Sequence, residues 1–193
     1  MGDLHESDVR LADGHVFATY TPSPEADVLL ARWWSTMGAL GDLELFAGLA
    51  ESLGAFFRAF LPPTRLYYLR DERDIVAAMW ADPIHAAAFV SVWVRPDYRQ
   101  RRATVGFALD ALTRLCTEYA VLVTLSKSPK LQKLAERIGF TPLQPAIPWL
   151  LHGHAAYVSF MTARDFVARW APSGAPSRAP SAAKAAEEVA HGG

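Results

Sequence analysis

The stretch "VSVWVRPDYRQRRATVGFALDAL", Val90 to Leu112, begins as an apolar run, breaks at Arg95-Pro96-Asp97, carries four arginines between Arg95 and Arg102, and turns apolar again. Its first part has the β-branched and aromatic content of a buried strand, and its last part repeats apolar residues at helical spacing. Positive charge is therefore concentrated where a strand gives way to a helix. A helix N-terminus carries unpaired N–H groups and about half a positive charge, so this junction suits a polyanion such as a phosphate group. The alternative is a solvated basic face on an amphipathic helix.

The concentration is local. The chain has 193 residues and a formal net charge of −1, so no global field draws it to nucleic acid or to an anionic membrane surface. Its length suits one domain with a substantial core. A polar, acidic start, "MGDLHESDVRLADGH", lacks the features of a secretory signal, and no uncharged apolar run approaches the ~18 residues of a membrane span. The single cysteine, Cys116, excludes an internal disulfide and fits a reducing compartment, so the cytoplasm is the expected location. Residues 1–14 are expected to form a polar arm and residues 171–193, rich in Ala, Pro and Ser, a disordered tail.

Between those ends, "HVFATY" reads as a first strand, followed by helices over Glu25–Met37 and Leu43–Phe60. Three strands follow with short connections, "RLYYLR", "DIVAAMWA" and "HAAAFVSVWV", the last beginning at His85 and ending at Val94. A long helix over about Arg99–Tyr119 leads into the apolar strand "AVLVTLS", which implies a parallel crossover. Ser128-Pro129 is a good N-cap and first position for a helix that stops at Gly139, and "FTPLQ" and "AAYVSFMT" supply the last strands. The pattern predicts an α/β (α+β) domain over 15–170, a mixed sheet of about seven strands flanked by about four helices.

This order resembles the GNAT superfamily of acyl-CoA-dependent N-acyltransferases, and two segments carry the resemblance. "VWVRPDYRQRRATVGFALDAL" is similar to that family's cofactor-binding strand, turn and helix. "SKSPKLQKLAERIGF" is similar to its S-x-N-x-x-A-x-x-x-Y-x-x-x-G-F segment. The resemblance covers Asp74 to Phe140 well and implies acetyl-CoA or another acyl-CoA as cofactor, an amine-bearing acceptor and a monomer or homodimer. It implies a pyrophosphate cradle at Arg99, Gln100, Arg101, Arg102, Ala103 and Thr104, where Arg102 and Thr104 stand in place of the glycines of R/Q-x-x-G-x-G/A. It further implies that the fourth and fifth predicted strands run parallel and splay apart at their C-terminal ends to admit an acyl-pantetheine arm.

The proton-transfer residues are not carried over. The family's glutamate position, eleven residues before Arg99, is Ala88; its tyrosine position, four before Gly139, is Ala135; its asparagine position is Ser128. The remaining candidates each have a functional and a structural reading. His85 suits a base near neutral pH, or is a strand-end histidine beside a turn. Ser126 and Ser128 can bond the pantetheine arm or protonate a thiolate, while Ser128 also suits an N-cap. Tyr157 can supply an acid, or is a half-buried sheet tyrosine. His152 and His154 share a strand face without a third ligand, so no metal site is expected.

Cys116 falls on an apolar helix stripe and reads as packing, as do Trp33, Trp34, Phe56 and Phe57, with an acceptor wall as the other reading of these aromatics. With no side-chain base, a main-chain N–H on the fourth predicted strand, at Val94 with Trp93 beside the acyl group, is the expected oxyanion donor. The two functions these readings allow are an acyl-CoA-dependent N-acyltransferase and a non-catalytic module that binds CoA or a partner.

Overall fold

Residues 9–11, 14–43, 52–99, 101–126, 128–143, 146–151 and 154–170 are described by a computed structural model. Most of the expected arm, the whole of the expected tail, the first part of the expected second helix, Gln100 and His152 lie outside the described residues.

The strands are β1 (Val9–Arg10), β2 (Val16–Thr19), β3 (Arg65–Arg70), β4 (Ile75–Ile84), β5 (Ala87–Val94), β6 (Val121–Ser126), β7 (Thr141–Pro142), β8 (Ile147–Leu151) and β9 (His154–Thr162). The helices are α1 (Pro24–Leu40), α2 (Leu53–Ala59), α3 (Arg102–Glu118), α4 (Pro129–Ile138) and α5 (Ala163–Trp170). Eight strands run in the order β1-β2-β3-β4-β5-β6-β9-β7, with β8 pairing β9 off that path. Among the described strands only β5 and β6 are parallel, joined by the α3 crossover that the sequence implies.

Helix starts follow local chemistry. Ser23, Ser52 and Ser128 each accept a main-chain N–H in the first turn of α1, α2 and α4, and Pro24 and Pro129 stand where a missing N–H costs nothing. Gly139 ends α4 at φ 124°, which favours glycine, and a Cβ there would also press on the Arg169 side chain at 3.2 Å.

Three elements go beyond the sequence expectation: β1, β8 and α5. Helix α5 had a legible signal, since Thr162 caps Asp165 N–H while its hydroxyl donates to the Asp165 carboxylate at 2.6 Å, a variant of the capping box. It docks on α4, where Trp170 Nε1 donates to Ile138 O at 2.6 Å and Arg169 to Arg137 O at 3.0 Å, covering carbonyls left open at the end of α4.

The sheet buries both faces. On one, Phe107, Leu112 and Leu115 of α3 pack with Leu122, Met161 and Phe166. On the other, Trp33 of α1 sits among Phe56, Phe60, Trp80 and Trp93 with ring centroids 5.2 to 6.3 Å apart. Trp33 and Phe56 are therefore core, and Trp34 and Phe57 pack partly buried against them. No helix among the described residues is long and apolar enough to cross a membrane.

Candidate functional site

The site is made by a divergence in the middle of the sheet. β5 pairs with β6 only at Ala87↔Val121, Ala88↔Leu122 and Phe89↔Val123. Beyond Phe89, β5 stays with β4 as far as Ala77↔Val94, while β6 stays with β9 as far as Ser126↔Tyr157. The two halves of the sheet part at the C-terminal end of β5, as the sequence led us to expect. Val92, in the middle of a central strand, is 51% exposed as a result.

The register also fixes which main-chain groups face the opening. Arg95 N–H donates to Val76 O at 2.9 Å, and antiparallel pairs alternate between exchanging and not exchanging hydrogen bonds. Residues 89, 91 and 93 therefore direct N–H and C=O toward β4, and Val90, Val92 and Val94 direct theirs toward the edge that β6 has left. The Val94 carbonyl there accepts from Arg99 Nε at 3.3 Å.

Next to this opening lies the arginine turn, Pro96–Tyr98 followed by the start of α3. Its arginines have different tasks. Arg95 pairs with Asp97 at 2.9 Å and Asp71 at 3.4 Å. Arg101 donates to Asp97 O at 3.1 Å and lies 4.0 Å from the Tyr98 ring centroid, with Arg95 4.6 Å from the same centroid. Arg102 is exposed, and its side chain has no hydrogen-bond or ion-pair partner among the described residues. Thr104, at a glycine position of the resembling motif, is buried and donates its hydroxyl to Tyr98 O at 2.8 Å, so its side chain braces the turn and leaves the outer surface open. Arg101 N–H and Thr104 N–H are bonded to Tyr98 O and Arg101 O. The N–H groups of Arg102 and Ala103 have no partner among the described residues, and Arg101 provides no side-chain cap. Among the described residues, the segment 99–104 thus offers two N–H groups without a partner, flanked by guanidinium groups.

Asp71 holds this turn and went unnoticed in the sequence, where "RDERD" reads only as an acidic turn. Burial alone would raise its carboxyl pKa, but donation from Arg73 N–H and Asp74 N–H at 2.8 Å each, with Arg95 and Tyr98, outweighs that and holds it below the ordinary value.

Two expected site residues stand elsewhere. His85 does not begin β5: it lies exposed in the turn between β4 and β5 at φ 54°, at the end where β5 and β6 are laddered, with about 23 Å of strand between Ala87 and Val94. The Trp93 side chain points away from the α3 face and is only 2% exposed, its indole N–H donating to Asp42 at 2.9 Å. It is packed in the aromatic core and does not line the opening. Ala88 and Ala135 are 1% and 9% exposed within the α3-side core, so both proton-transfer positions of the resembling motifs are apolar.

Ser126 and Tyr157 are direct register partners at the open end of β6, on the face that α4 covers. Ser128 is the N-cap of α4, its Oγ accepting from Leu131 N–H at 3.4 Å. His154 begins β9, and no cluster of three metal-ligating side chains occurs among the described residues. Burial pushes the Cys116 thiol up to about 11, which agrees with a packing role.

No protein-family model matches the sequence, and no curated protein matches it significantly. Solved structures do match. The spermidine N-acetyltransferase of Vibrio cholerae in complex with CoA and spermine aligns at TM-score 0.57 and 11% identity, over 78% of this chain and 98% of that one. The ribosomal-protein-S5-alanine acetyltransferase of Vibrio fischeri aligns at 0.59 and 10%, over 82% and 98%. A GNAT family acetyltransferase of Elizabethkingia anophelis with acetyl-CoA bound aligns at 0.53 and 13%, over 78% and 99%. The chain has the fold of the GNAT acetyltransferases.

Proposed function

We propose that the domain over 15–170 is an acyl-CoA-dependent N-acyltransferase of the GNAT type, moving an acyl group, most simply acetyl, to a primary amine. The observation that carries this reading is the parting of β5 and β6 after Phe89 beside the uncapped start of α3. CoA and acetyl-CoA are bound in two solved proteins of the same fold, which supports the same use here. Arg102 and Ala103 N–H, with the guanidinium groups of Arg99 and Arg102, are the groups that would meet the pyrophosphate. The two lost glycines fit this use, because Thr104 is turned into the core and Arg102 outward. Ser126 and Ser128 border the arm of the cofactor in the same reading.

The chemistry is direct attack. The amine nitrogen forms a C–N bond with the thioester carbonyl, and the C–S bond breaks to release the thiolate of CoA. Val94 N–H, held by the strand and directed to the opening, is our choice of donor for the developing oxyanion. With alanine at 88 and 135, the acceptor loses its proton to water, and positioning supplies much of the acceleration. Tyr157, the register partner of Ser126, is our side-chain candidate to protonate the thiolate. A single cysteine and the reliance on acyl-CoA fit a cytoplasmic enzyme acting as a monomer or homodimer.

Turnover of acetyl-CoA with a panel of primary amines tests the proposal. We expect a rate that rises with pH toward the pKa of the amine, without the plateau near neutrality that a histidine base would impose. The apolar surroundings of Ala88 and Ala135 favour the second reading, a non-catalytic CoA-binding module. CoA binding without turnover of any amine would select it.

A further inference from the structure

A second cavity lies on the opposite face of the sheet, under the loop between α2 and β3. It has a volume of about 350 Å³ and is walled by Phe60, Pro62, Pro63 and Trp80, with Thr64 and Asp82 as polar groups and Arg58 at one side. Phe60 and Trp80 meet edge-on with centroids 6.0 Å apart, so the wall is aromatic and rigid.

Asp82 stands in this pocket without a cation. The Thr64 hydroxyl donates to its Oδ1 at 2.9 Å, and no ion pair reaches it among the described residues. Of the neighbouring basic groups, Arg65 is turned elsewhere, and Arg58, at one side of the pocket, forms no ion pair with Asp82 among the described residues. Arg65 pairs opposite Ala81 in the register, which puts its side chain on the α3 side of the sheet, where it binds Glu118 at 2.9 Å. Arg58 lies back along α2, with one guanidinium nitrogen 3.5 Å from the position of a Cβ on Gly54. Burial raises the Asp82 carboxyl above its ordinary value and only the Thr64 hydrogen bond opposes that, so a cation in the pocket would relieve the cost of its charge. A half-buried carboxylate lined by aromatic and proline surface is complementary to a cation with an apolar stem: the charge meets the carboxylate and the stem meets the wall.

We propose that this pocket binds the ammonium end of a primary alkylamine, with Asp82 as the countercharge and Phe60 and Trp80 as the wall. The inference does not depend on acyl transfer. Asp82 pairs with Phe89, five residues before Val94, so the pocket lies about 16 Å along the sheet from Val94. Its occupant is either a separate small amine or the far end of a long, multiply charged acceptor.

The test uses the full chain, titrated by calorimetry at low ionic strength with butylammonium chloride, and with butanol as the neutral comparator. We expect butylammonium to bind, butanol not to bind, and Asp82→Asn, which keeps an acceptor for Thr64, to weaken butylammonium at least tenfold. Equal affinity in the two proteins overturns the proposal. Nitrogen-edited NMR of the wild type locates the site without a variant: shifts at the Trp80 indole and Thr64 amide are expected, and shifts confined to Val92 and Val94 overturn it. If a long polyamine is then acylated and Asp82→Asn raises its KM at constant kcat, the occupant is the acceptor's far end. If binding depends on Asp82 and no amine is acylated, the pocket stands and the acyltransfer reading falls.

Discussion

The two ends of β5 share one apolar alternation and end in opposite surroundings. At Ala87–Phe89 the strand is laddered on both sides and closes into the His85 turn. At Val90–Val94 the β4 ladder continues, but β6 has left with β9, and the strand runs into a turn braced by Asp71, Tyr98 and Thr104. The side chains of β5 do not make this difference, since valine and alanine face the α3 side along its whole length. The partner strand makes it, because withdrawing β6 turns an ordinary ladder donor at Val94 into an open one. Under the proposed function, the reactive donor is main chain held on a strand, with no polar catalytic side chain needed beside it.

The largest effect is expected at the charged end. Replacing Arg99, Arg101 and Arg102 together with alanine removes the guanidinium groups around the open N–H groups, and a charge-assisted contact is worth roughly 1.5–3 kcal/mol. CoA affinity measured by calorimetric titration should fall on the order of a hundredfold or more, and its dependence on salt should flatten. The fold should lose much less, about 1–2 kcal/mol, through the stacking on Tyr98 and the bonds to Val94 O and Asp97 O. Unchanged CoA affinity would remove the phosphate cradle.

Val94→Pro addresses the open donor alone. The Val94 N–H is not part of the β4 ladder, so proline there removes the group facing the opening while leaving the hydrogen bonds to β4 in place. We expect kcat to fall about 10²–10³-fold, the usual cost of losing an oxyanion donor, with CoA affinity changed only a few-fold. A folded variant that retains the wild-type kcat would move the donor elsewhere.

The smallest effect belongs to the closed end. His85 adopts a left-handed conformation that suits glycine, so His85→Gly should raise stability in denaturant titration by about 0.5–1 kcal/mol. Turnover and its pH profile should not change. Loss of turnover in the folded protein with acetyl-CoA still bound would restore His85 as a direct participant and erase the contrast between the two ends.

Much of the frame was legible in the sequence because its signals are local. The Ser128-Pro129 cap, Gly139 as a stop, the period change across Arg95–Pro96, and the strand, helix, strand order are properties of neighbouring residues, and the elements they mark are present. Of the helix expected over Leu43–Phe60, by contrast, the described part is Leu53–Ala59, started by the extended N-cap Ser52. The parallel pair β5–β6 follows from the handed crossover. Short elements were less legible: β1 has two residues and β8 begins "IPW", so neither has room for a period, and α5 carried its cap in Thr162–Asp165 without being read.

The chain by itself therefore determined where helices and strands begin and where positive charge gathers, since both depend on residues a few positions apart. Only the tertiary structure decided what those groups face. The alternation of β5 is visible in sequence, but which face receives α3 and which receives Trp33 is a matter of packing, and that puts Trp93 in the core and Val92 in the open. Whether Arg102 and Ala103 N–H meet a partner among the described residues depended on the turn around Tyr98 and Arg101, and the isolation of Asp82 on Arg65 pairing with Glu118. The physical reason is the same in each case: a donor, a charge or a ring acquires its role from groups distant in the chain, and the sequence holds no short-range record of which of them will arrive.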